Sequence, residues 1–179
     1  MKTLVIAAHP NIAESRINKA WLQELQQHTD ITIHQLYDAY PDKVIDAAKE
    51  QALLEAHDRI ILQFPLFWYS SPSLLKEWLD TVLAYGWAYG SGGNKLHGKQ
   101  FGLAISTGGP EESYAAGGYN RFTLSELTKP FEATSNLIGT QYLPMFVRGG
   151  VRNVSDEELA RSCADYVKHV TSDSLVPVQ

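Results

Sequence analysis

Short apolar segments alternate with stretches of helical periodicity along this chain, and that alternation restricts the possible folds more than any other feature. Five segments are short and rich in apolar residues, as strands covered on both faces are. Between them apolar residues recur at helical spacing, most clearly at Leu74, Trp78 and Val82. Strands that alternate with helices predict right-handed crossovers and a parallel sheet. The predicted strands cover residues 4–8, 31–36, 59–64, 101–106 and 142–147.

The predicted architecture is an α/β fold, with helices on both faces of a five-stranded parallel sheet. A chain of 179 residues suits one domain, and we expect residues 1–179 to form one. The doubly wound order of flavodoxin-like proteins fits a chain of this size, and Pro144 favours an edge position for the fifth strand. Ligands of such sheets bind beyond the carboxyl ends of the strands, near the point where strand order reverses. The loops after the first, third and fourth strands are therefore the candidate binding loops.

Three serines are placed to begin helices. Ser15 is the predicted N-cap of the first helix, because its hydroxyl can accept from a backbone N–H of the first turn. Ser71 is predicted to cap a later helix whose first residue is Pro72. Ser155 stands three residues before Glu158, which predicts a capping box at the start of the last helix.

Charge and cysteine content exclude several classes of function. The formal net charge of −5 leaves no basic surplus to neutralise phosphates, which argues against nucleic acid as a partner. Cys163 is the one cysteine, so an intrachain disulfide framework and a Cys-based zinc site are excluded, and the histidines lack metal-binding spacing. The apolar runs are too short to span a bilayer, and no signal peptide is apparent. We therefore expect a cytoplasmic protein without a metal site.

The loop after the first strand has the features of an anion site. It leads from His9 into a helix, where free backbone N–H groups and the helix dipole favour a phosphate. Ser15 and Asn18 can add hydrogen bonds, Arg16 a positive charge, and His9 a donor. The alternative is that Ser15 only caps the helix and Asn18 is solvated. The chain has no GxGxxG and no GxxxxGK[ST], which argues against a Rossmann dinucleotide site and a P-loop.

The loops after the third and fourth strands can enclose a planar cofactor. The former carries Leu66, Phe67, Trp68 and Tyr69, an apolar group that is unfavourable to expose. Packing of these side chains into the core or against another subunit is the alternative. The latter, residues 106–109, contains paired glycines that allow close approach of the backbone to a ligand, or that only serve a turn.

Several motifs occur together over roughly residues 3–147. They are Ala8-His9-Pro10, Ser15-Arg16-Ile17-Asn18, Leu36-Tyr37, Tyr40-Pro41-Asp42, Pro65–Ser70, Leu74–Asp80, Gly86–Gly90 and Thr107-Gly108-Gly109. In combination they resemble the flavodoxin-like NAD(P)H:quinone oxidoreductases, and most closely the short bacterial branch that includes the Kef potassium-efflux ancillary proteins. The resemblance covers most of the chain and is specific to the family rather than to one member.

The resemblance implies a bound flavin, which is FMN in the short branch, with FAD as the alternative. The implied reaction is ping-pong: NADH or NADPH gives a hydride to the flavin and leaves, and a quinone then takes two electrons. The implied phosphate contacts are His9, Ser15, Arg16, Ile17 and Asn18. The implied contacts with the isoalloxazine ring are Leu66, Phe67, Trp68, Tyr69, Ser106, Thr107, Gly108 and Gly109.

The resemblance also implies candidate catalytic residues and a homodimer. Longer relatives carry a Tyr and a His after the Thr-Gly-Gly loop that can donate to the substrate oxygen. Tyr114 matches that Tyr, whereas Asn120 stands at the position of the His, beside Tyr119. The departure argues against proton transfer by an imidazole and leaves Tyr114 or Tyr119 as the hydrogen-bond donor. Residues 85–90 are expected to approach the flavin of the other subunit, so that the active site lies at the dimer interface; aromatic packing within one subunit is the alternative.

Two other functions stay open beside catalysis on quinones. The Kef relatives imply a regulatory flavoprotein that activates a potassium-efflux antiporter, and that partner would hold it at the inner membrane. An electron carrier of the flavodoxin type is the weaker alternative, because flavodoxins are usually more acidic and lack the Trp- and Tyr-rich segment 85–90.

Overall fold

A six-stranded parallel sheet occupies the centre of the computed structural model, which describes residues 1–178. Its strands are β1 (Thr3–Ala7), β2 (Ile31–Gln35), β3 (Arg59–Pro65), β4 (Gln100–Ser106), β5 (Gln141–Tyr142) and β6 (Phe146–Arg148). The order across the sheet is β2-β1-β3-β4-β5, and β6 also pairs with β4. All pairs are parallel. The strand order reverses at β1 and β3, which confirms the predicted doubly wound, flavodoxin-like architecture.

Helices cover both faces of this sheet. Leu4 and Ile6 of β1 belong to one buried cluster, whereas Val5 and Ala7 belong to a second cluster. Because successive residues of a strand point to opposite faces, the two clusters lie on opposite sides. The helices are α1 (Arg16–Leu25), α2 (Leu36–Ala39), α3 (Ala47–Glu55), α4 (Ser73–Val82), α5 (Leu124–Leu127), α6 (Lys129–Leu137) and α7 (Asp156–Thr171), with 3-10 turns at Ile12–Glu14 and Glu111–Ser113.

Residues of α3, α4 and α6 contribute to the first cluster, and residues of α1 and α7 to the second. All seven residues of β3 are buried, which explains why this strand lacks the alternating pattern of a half-exposed one. No helix within residues 1–178 combines the length and the apolar character needed to cross a membrane.

Two of the three predicted N-caps are confirmed. Ser15 accepts a hydrogen bond from the N–H of Asn18, and Ser155 forms the predicted capping box with Glu158. The prediction for α4 is wrong by one position, because Pro72 is itself the N-cap residue and the helix begins at Ser73. Proline is compatible with that position because the N–H it lacks would have no partner inside the helix.

The predicted fifth strand is divided into two. β5 pairs with the beginning of β4 and β6 with its end, and Leu143, Pro144 and Met145 separate them. The N–H of Leu143 still donates to the carbonyl of Phe101 at 2.8 Å. Phe101 pairs with Tyr142 but Ala104 pairs with Phe146, so this segment has one residue more than the stretch of β4 opposite it, and the ladder is interrupted between β5 and β6. The residues after β6 consequently start beside the carboxyl end of β4, where the candidate loops are.

Candidate functional site

The loops after β1, β3 and β4 lie side by side at the carboxyl edge of the sheet. The N–H of Leu66 donates to the carbonyl of Ser106 at 2.8 Å, which joins the second loop to the third. The rings of His9 and Phe67 meet edge to face with centroids 6.2 Å apart, which joins the first loop to the second. These loops and the residues after β6 line a pocket of about 420 Å³, called the α1 pocket below. Its lining residues are His9, Glu14, Ser15, Arg16, Ile17, Asn18, Pro65, Leu66, Phe67, Ser106, Thr107, Gly108, Val151 and Arg152.

The first turn of α1 supplies hydrogen-bond donors to this pocket. The Oγ of Ser15 accepts from the N–H of Asn18 at 3.2 Å. The N–H groups of Arg16 and Ile17 have no acceptor among residues 1–178, as is usual for the first residues of a helix. Free N–H groups at the positive end of a helix dipole are the chemistry that an anion requires.

Asn18 is not solvated, because its exposed fraction is only 2%. Its Nδ2 donates to the Oγ of Ser106 at 2.9 Å, and the Nε2 of Gln63 donates to its backbone carbonyl at 3.1 Å. Asn18 therefore ties the first turn of α1 to β3 and β4 in addition to lining the pocket. Sequence reasoning missed Gln63, although a Gln between apolar residues of a buried strand indicates a buried polar contact.

The two arginines of the α1 pocket have different surroundings. The guanidinium of Arg16 donates to the carbonyl of Val154 and lies 2.5 Å from the Oδ1 of Asp156, so its charge is already paired. Arg152 is exposed, and its side chain has no ion-pair partner among residues 1–178. Sequence reasoning missed Arg152 because nothing in its neighbourhood separates it from an ordinary charged loop residue.

The second loop contains a tight turn in a strained conformation. The N–H of Phe67 donates to the carbonyl of Ser70 at 2.9 Å, and the N–H of Ser70 donates back to Phe67 at 3.0 Å. Between them Trp68 and Tyr69 have φ angles of +49° and +63°, which side-chain-bearing residues rarely adopt. This is the pattern of a two-residue hairpin turn in which both central residues have positive φ. It leaves the Trp68 side chain 94% exposed, and the N–H groups of Trp68 and Tyr69 have no acceptor among the described residues.

A second pocket of about 500 Å³, called the tyrosine pocket below, adjoins the first and shares Leu66 and Gly108 with it. A Cβ placed at Gly108 would have no atom within 4 Å, so this backbone faces open space. Gly109 is held in place because its carbonyl accepts from the Oγ1 of Thr107 and from the N–H of Gly150, each at 2.8 Å. The lining residues are Leu66, Trp68, Tyr69, Gly108, Gly109, Pro110, Ser113, Tyr114, Tyr119 and Asn120.

All three candidate catalytic residues line the tyrosine pocket. The side chain of Asn120 accepts from the hydroxyl of Tyr69 at 3.2 Å and donates to the Oγ of Ser113 at 3.3 Å. Asn120 therefore connects the second loop to the segment after the third. Tyr114 is half-buried, whereas Tyr119 is 90% exposed. The catalytic roles of these residues stay predictions.

The surroundings of His9 favour the neutral form of its imidazole. Its partial burial lowers the pKa of the ring, because burial disfavours the charged form. Its Nδ1 accepts a hydrogen bond from the N–H of Asn11 at 3.1 Å. The proton of the neutral ring is then on Nε2, so His9 can act as a donor in the α1 pocket, as the sequence predicts.

Residues 85–90 are partly anchored within the subunit. The Nε1 of Trp87 donates to the Oε1 of Glu55 at 2.8 Å, and Ala88 is fully buried. Tyr85 is 68% exposed, beside a groove of about 440 Å³ between α4 and α6. This α4–α6 groove has Leu79, Leu83, Tyr89, Phe131, Leu137 and Ile138 as its apolar lining, and Ser70, Ser71, Lys76, Asp80, Pro130 and Thr134 as the rest.

Curated relatives match almost the full length of the chain. An uncharacterized NAD(P)H oxidoreductase of Bacillus subtilis, YdeQ, is 55% identical over 177 residues, which is 99% of this chain and 90% of that protein. The glutathione-regulated potassium-efflux system ancillary protein KefG of Cronobacter sakazakii is 42% identical, over 98% of this chain and 95% of that one.

Two solved structures superpose closely on this chain. General stress protein 14 of Treponema denticola, solved in complex with FMN, superposes with a TM-score of 0.90 and 45% identity over 93% of this chain and 96% of that one. An NADPH-quinone reductase of P. pentosaceus superposes with a TM-score of 0.89 and 36% identity over 96% of this chain and 99% of that one. The model of a protein family whose description is 'flavodoxin-like fold' matches residues 1–170 of this chain. The order of the strands, the three loops at the carboxyl edge of the sheet and these matches agree, and the chain is a member of that flavodoxin-like family.

Proposed function

We propose that the protein is an FMN-dependent NAD(P)H:quinone oxidoreductase. The observation that carries this proposal is a pair of adjoining pockets whose backbone donors have no partner among residues 1–178. The relative named as an NAD(P)H oxidoreductase and the neighbour named as an NADPH-quinone reductase support the same activity. The overall reaction converts NAD(P)H, a proton and a quinone into NAD(P)⁺ and a hydroquinone.

The residues of the α1 pocket suit the anionic phosphate of FMN better than they suit a neutral group. The free N–H groups of Arg16 and Ile17 and the Nε2–H of His9 are donors for anionic oxygens. FMN is preferred to FAD because the neighbour with 45% identity holds FMN. Asn18, through Gln63 and Ser106, keeps the first turn of α1 in position.

The second and third loops suit a planar ring with a polar edge. Leu66 and Phe67 offer apolar surface, and the free N–H groups of Trp68 and Tyr69 offer donors. When bound, FMN supplies a ring that accepts a hydride and passes two electrons to an acceptor. The protein contributes fixed donors toward the negative charge of the reduced ring, and such preorganised donors lower the barrier.

The tyrosine pocket is the proposed place for NAD(P)H and then for the quinone. Tyr114 is the proposed donor to the substrate oxygen, with Tyr119 as the alternative, and Asn120 keeps Tyr69 in position. A neutral phenol is a weak acid near pH 7, so Tyr114 would donate a hydrogen bond and solvent would supply the proton.

We further propose that two copies pair through the α4–α6 groove. Leu137 lines the groove and is 61% exposed. Tyr85, which is also exposed, lies close in sequence to the groove residue Tyr89. Exposed apolar side chains around a groove are typical of protein interfaces. Ser70 lines the groove and closes the Trp68–Tyr69 turn, so a second copy would lie next to the mouth of the site.

The second candidate function is regulation of a potassium-efflux antiporter. It is favoured by one observation, the 42% identity to a potassium-efflux ancillary protein over nearly the whole chain. In this case the flavin site would be retained, and the protein would act from the cytoplasm on a membrane partner.

The decisive experiment identifies the flavin and then measures turnover. The purified protein is denatured to release its flavin, and oxidation of NADH and of NADPH is followed with a benzoquinone as acceptor. The proposal expects FMN and steady-state oxidation. A colourless protein that neither FMN nor FAD reconstitutes would contradict it. A yellow protein without turnover would favour regulation, and co-purification with a potassium-efflux antiporter would then test that alternative directly.

A further inference from the structure

We propose that Arg152, and not Arg16, supplies the positive charge for the phosphate of the flavin, and that Arg16 is a positioning residue for the segment that carries Arg152. The inference rests on the proposed function, because it names residues of the proposed FMN site. It reverses the sequence-based expectation, in which Arg16 carries the charge.

Arg16 is committed to other groups. Its guanidinium donates to the carbonyl of Val154 and pairs with Asp156, the first residue of α7. A phosphate that approached Arg16 would compete for its guanidinium with the Val154 carbonyl and the Asp156 carboxylate. The carboxylate of Asp156 therefore offsets part of the positive charge that Arg16 brings to the α1 pocket.

Arg152 is the arginine of this pocket whose charge is available. It lines the same pocket as Ser15, Ile17 and Asn18, and no carboxylate within residues 1–178 pairs with it. Glu14 also lines the pocket and would repel a phosphate. Because the charge of Arg16 is shared with Asp156, Arg152 is the cation of this pocket that is free to offset Glu14 and to attract a dianion.

The segment that carries Arg152 is held toward the site from both sides. Before it, the N–H groups of Gly150 and Val151 donate to the carbonyls of Gly109 and Thr107, at 2.8 and 3.2 Å. After it, the carbonyl of Val154 accepts from Arg16. Arg16 thus helps to place a second arginine beside the first turn of α1 without using its own charge on the ligand.

The test compares flavins with and without a phosphate. The full-length apoprotein is titrated with FMN and with riboflavin, and binding is followed by the quenching of flavin fluorescence. We expect Arg152→Ala to weaken FMN binding about 10- to 100-fold, the size of a lost charge-assisted hydrogen bond, and to change riboflavin binding less than about twofold. Arg152→Lys should recover part of the FMN affinity, because it keeps the charge but not the planar fork.

Two further variants make the test specific. Arg161→Ala removes an exposed arginine of α7 that lies outside both flavin pockets, and it should bind both flavins like the unaltered protein. Arg16→Ala should lower the preference for FMN over riboflavin, but adding it to Arg152→Ala should lower that preference no further. Such non-additivity is expected if Arg16 acts through the segment of Arg152, and a purely structural role would not produce it.

The inference is overturned if Arg152→Ala keeps the full preference for FMN over riboflavin, or if only Arg16→Ala loses it. Weakened binding of FAD alone, or a raised KM for NADPH with unchanged FMN affinity, would also overturn it, because Arg152 would then contact a different phosphate. Failure of the unaltered protein to bind any flavin would overturn the proposed function itself, which is a separate result.

Discussion

Glu50 is fully buried, and its carboxylate lies among Tyr40 and Trp78, which donate to it, and the imidazole of His34. Its Oε1 lies 2.6 Å from the hydroxyl of Tyr40 and 2.9 Å from the Nε2 of His34, and its Oε2 accepts from the Nε1 of Trp78 at 2.8 Å. Glu50→Gln should lower the free energy of unfolding by about 2–4 kcal/mol, because the amide has one oxygen for the two donors Tyr40 and Trp78 and turns a buried NH2 toward the other. Urea denaturation measures the change. Glu77→Gln, at an exposed position of α4, is the control and should stay within about 0.5 kcal/mol of the unaltered protein.

Glu50 also gives the fold a defined sensitivity to acid. Burial alone would raise the pKa of this carboxyl, but the contacts with His34, Tyr40 and Trp78 outweigh burial and hold the pKa below its ordinary value. The unfolded chain therefore takes up a proton at Glu50 before the folded one does, and stability falls as the pH falls through the lowered pKa. Urea midpoints between about pH 7 and pH 3 should fall more steeply for the unaltered protein than for Glu50→Gln. Parallel curves would remove Glu50 from the acid sensitivity.

The proposed role of Tyr114 as hydrogen-bond donor can be tested by removing its hydroxyl group alone. Tyr114→Phe should reduce quinone turnover about 3- to 10-fold, the size of one neutral hydrogen bond, and leave the flavin content unchanged. Steady-state kinetics with a benzoquinone and the absorbance of the bound flavin measure the two effects. Tyr119→Phe is the matched variant from the same pocket. Unchanged turnover in Tyr114→Phe with a loss in Tyr119→Phe would transfer the role to Tyr119.

At the scale of an element, the Trp68–Tyr69 turn is expected to lower the stability of the fold and to serve the binding of flavin and substrate. Two side-chain-bearing residues with positive φ cost about 1–2 kcal/mol each, whereas Asn-Gly is favoured in such a turn. Replacing the pair by Asn-Gly should therefore raise the free energy of unfolding by about 1–2 kcal/mol and lower flavin affinity and turnover, because two pocket-lining rings are lost. Lys43→Gly is the control, since Lys43 also has positive φ, at 62°, and lies outside both pockets. It should change stability without changing turnover.

The presence of the strands and helices could be predicted from the sequence, but the residues at which some of them begin and end could not. β3 and β4 are buried on both faces, so hydrophobic segments alone located them. The division of the fifth strand depends on a one-residue shift in its pairing with β4, and the start of α4 depends on the backbone of Pro72. Apolar patterning contains no information about either, because both are decided by which backbone groups find partners.

At the scale of the whole molecule, the meeting of the candidate loops was predictable and the pairing of the charges beside them was not. The doubly wound order brings the loops of His9, Phe67 and Gly108 together, whatever the details of their side chains. The pairing of Arg16 with Asp156 joins residues 140 positions apart. Local sequence reasoning cannot detect a contact of that separation, and for that reason it assigned the free charge to Arg16 and passed over Arg152.

The proposed pairing of two copies is tested by placing a charge in the α4–α6 groove. Leu137→Glu should shift the protein from dimer to monomer in sedimentation velocity, because burying an unpaired carboxylate in an interface costs about 2 kcal/mol or more per copy. Val44→Glu adds the same charge at an apolar position that is 71% exposed and outside the groove, so it should leave the dimer intact. Because the groove includes Ser70 beside the strained turn, quinone turnover should fall with the dimer in Leu137→Glu and not in Val44→Glu. A monomeric unaltered protein with full turnover would show that one copy completes the site, and would contradict the shared active site.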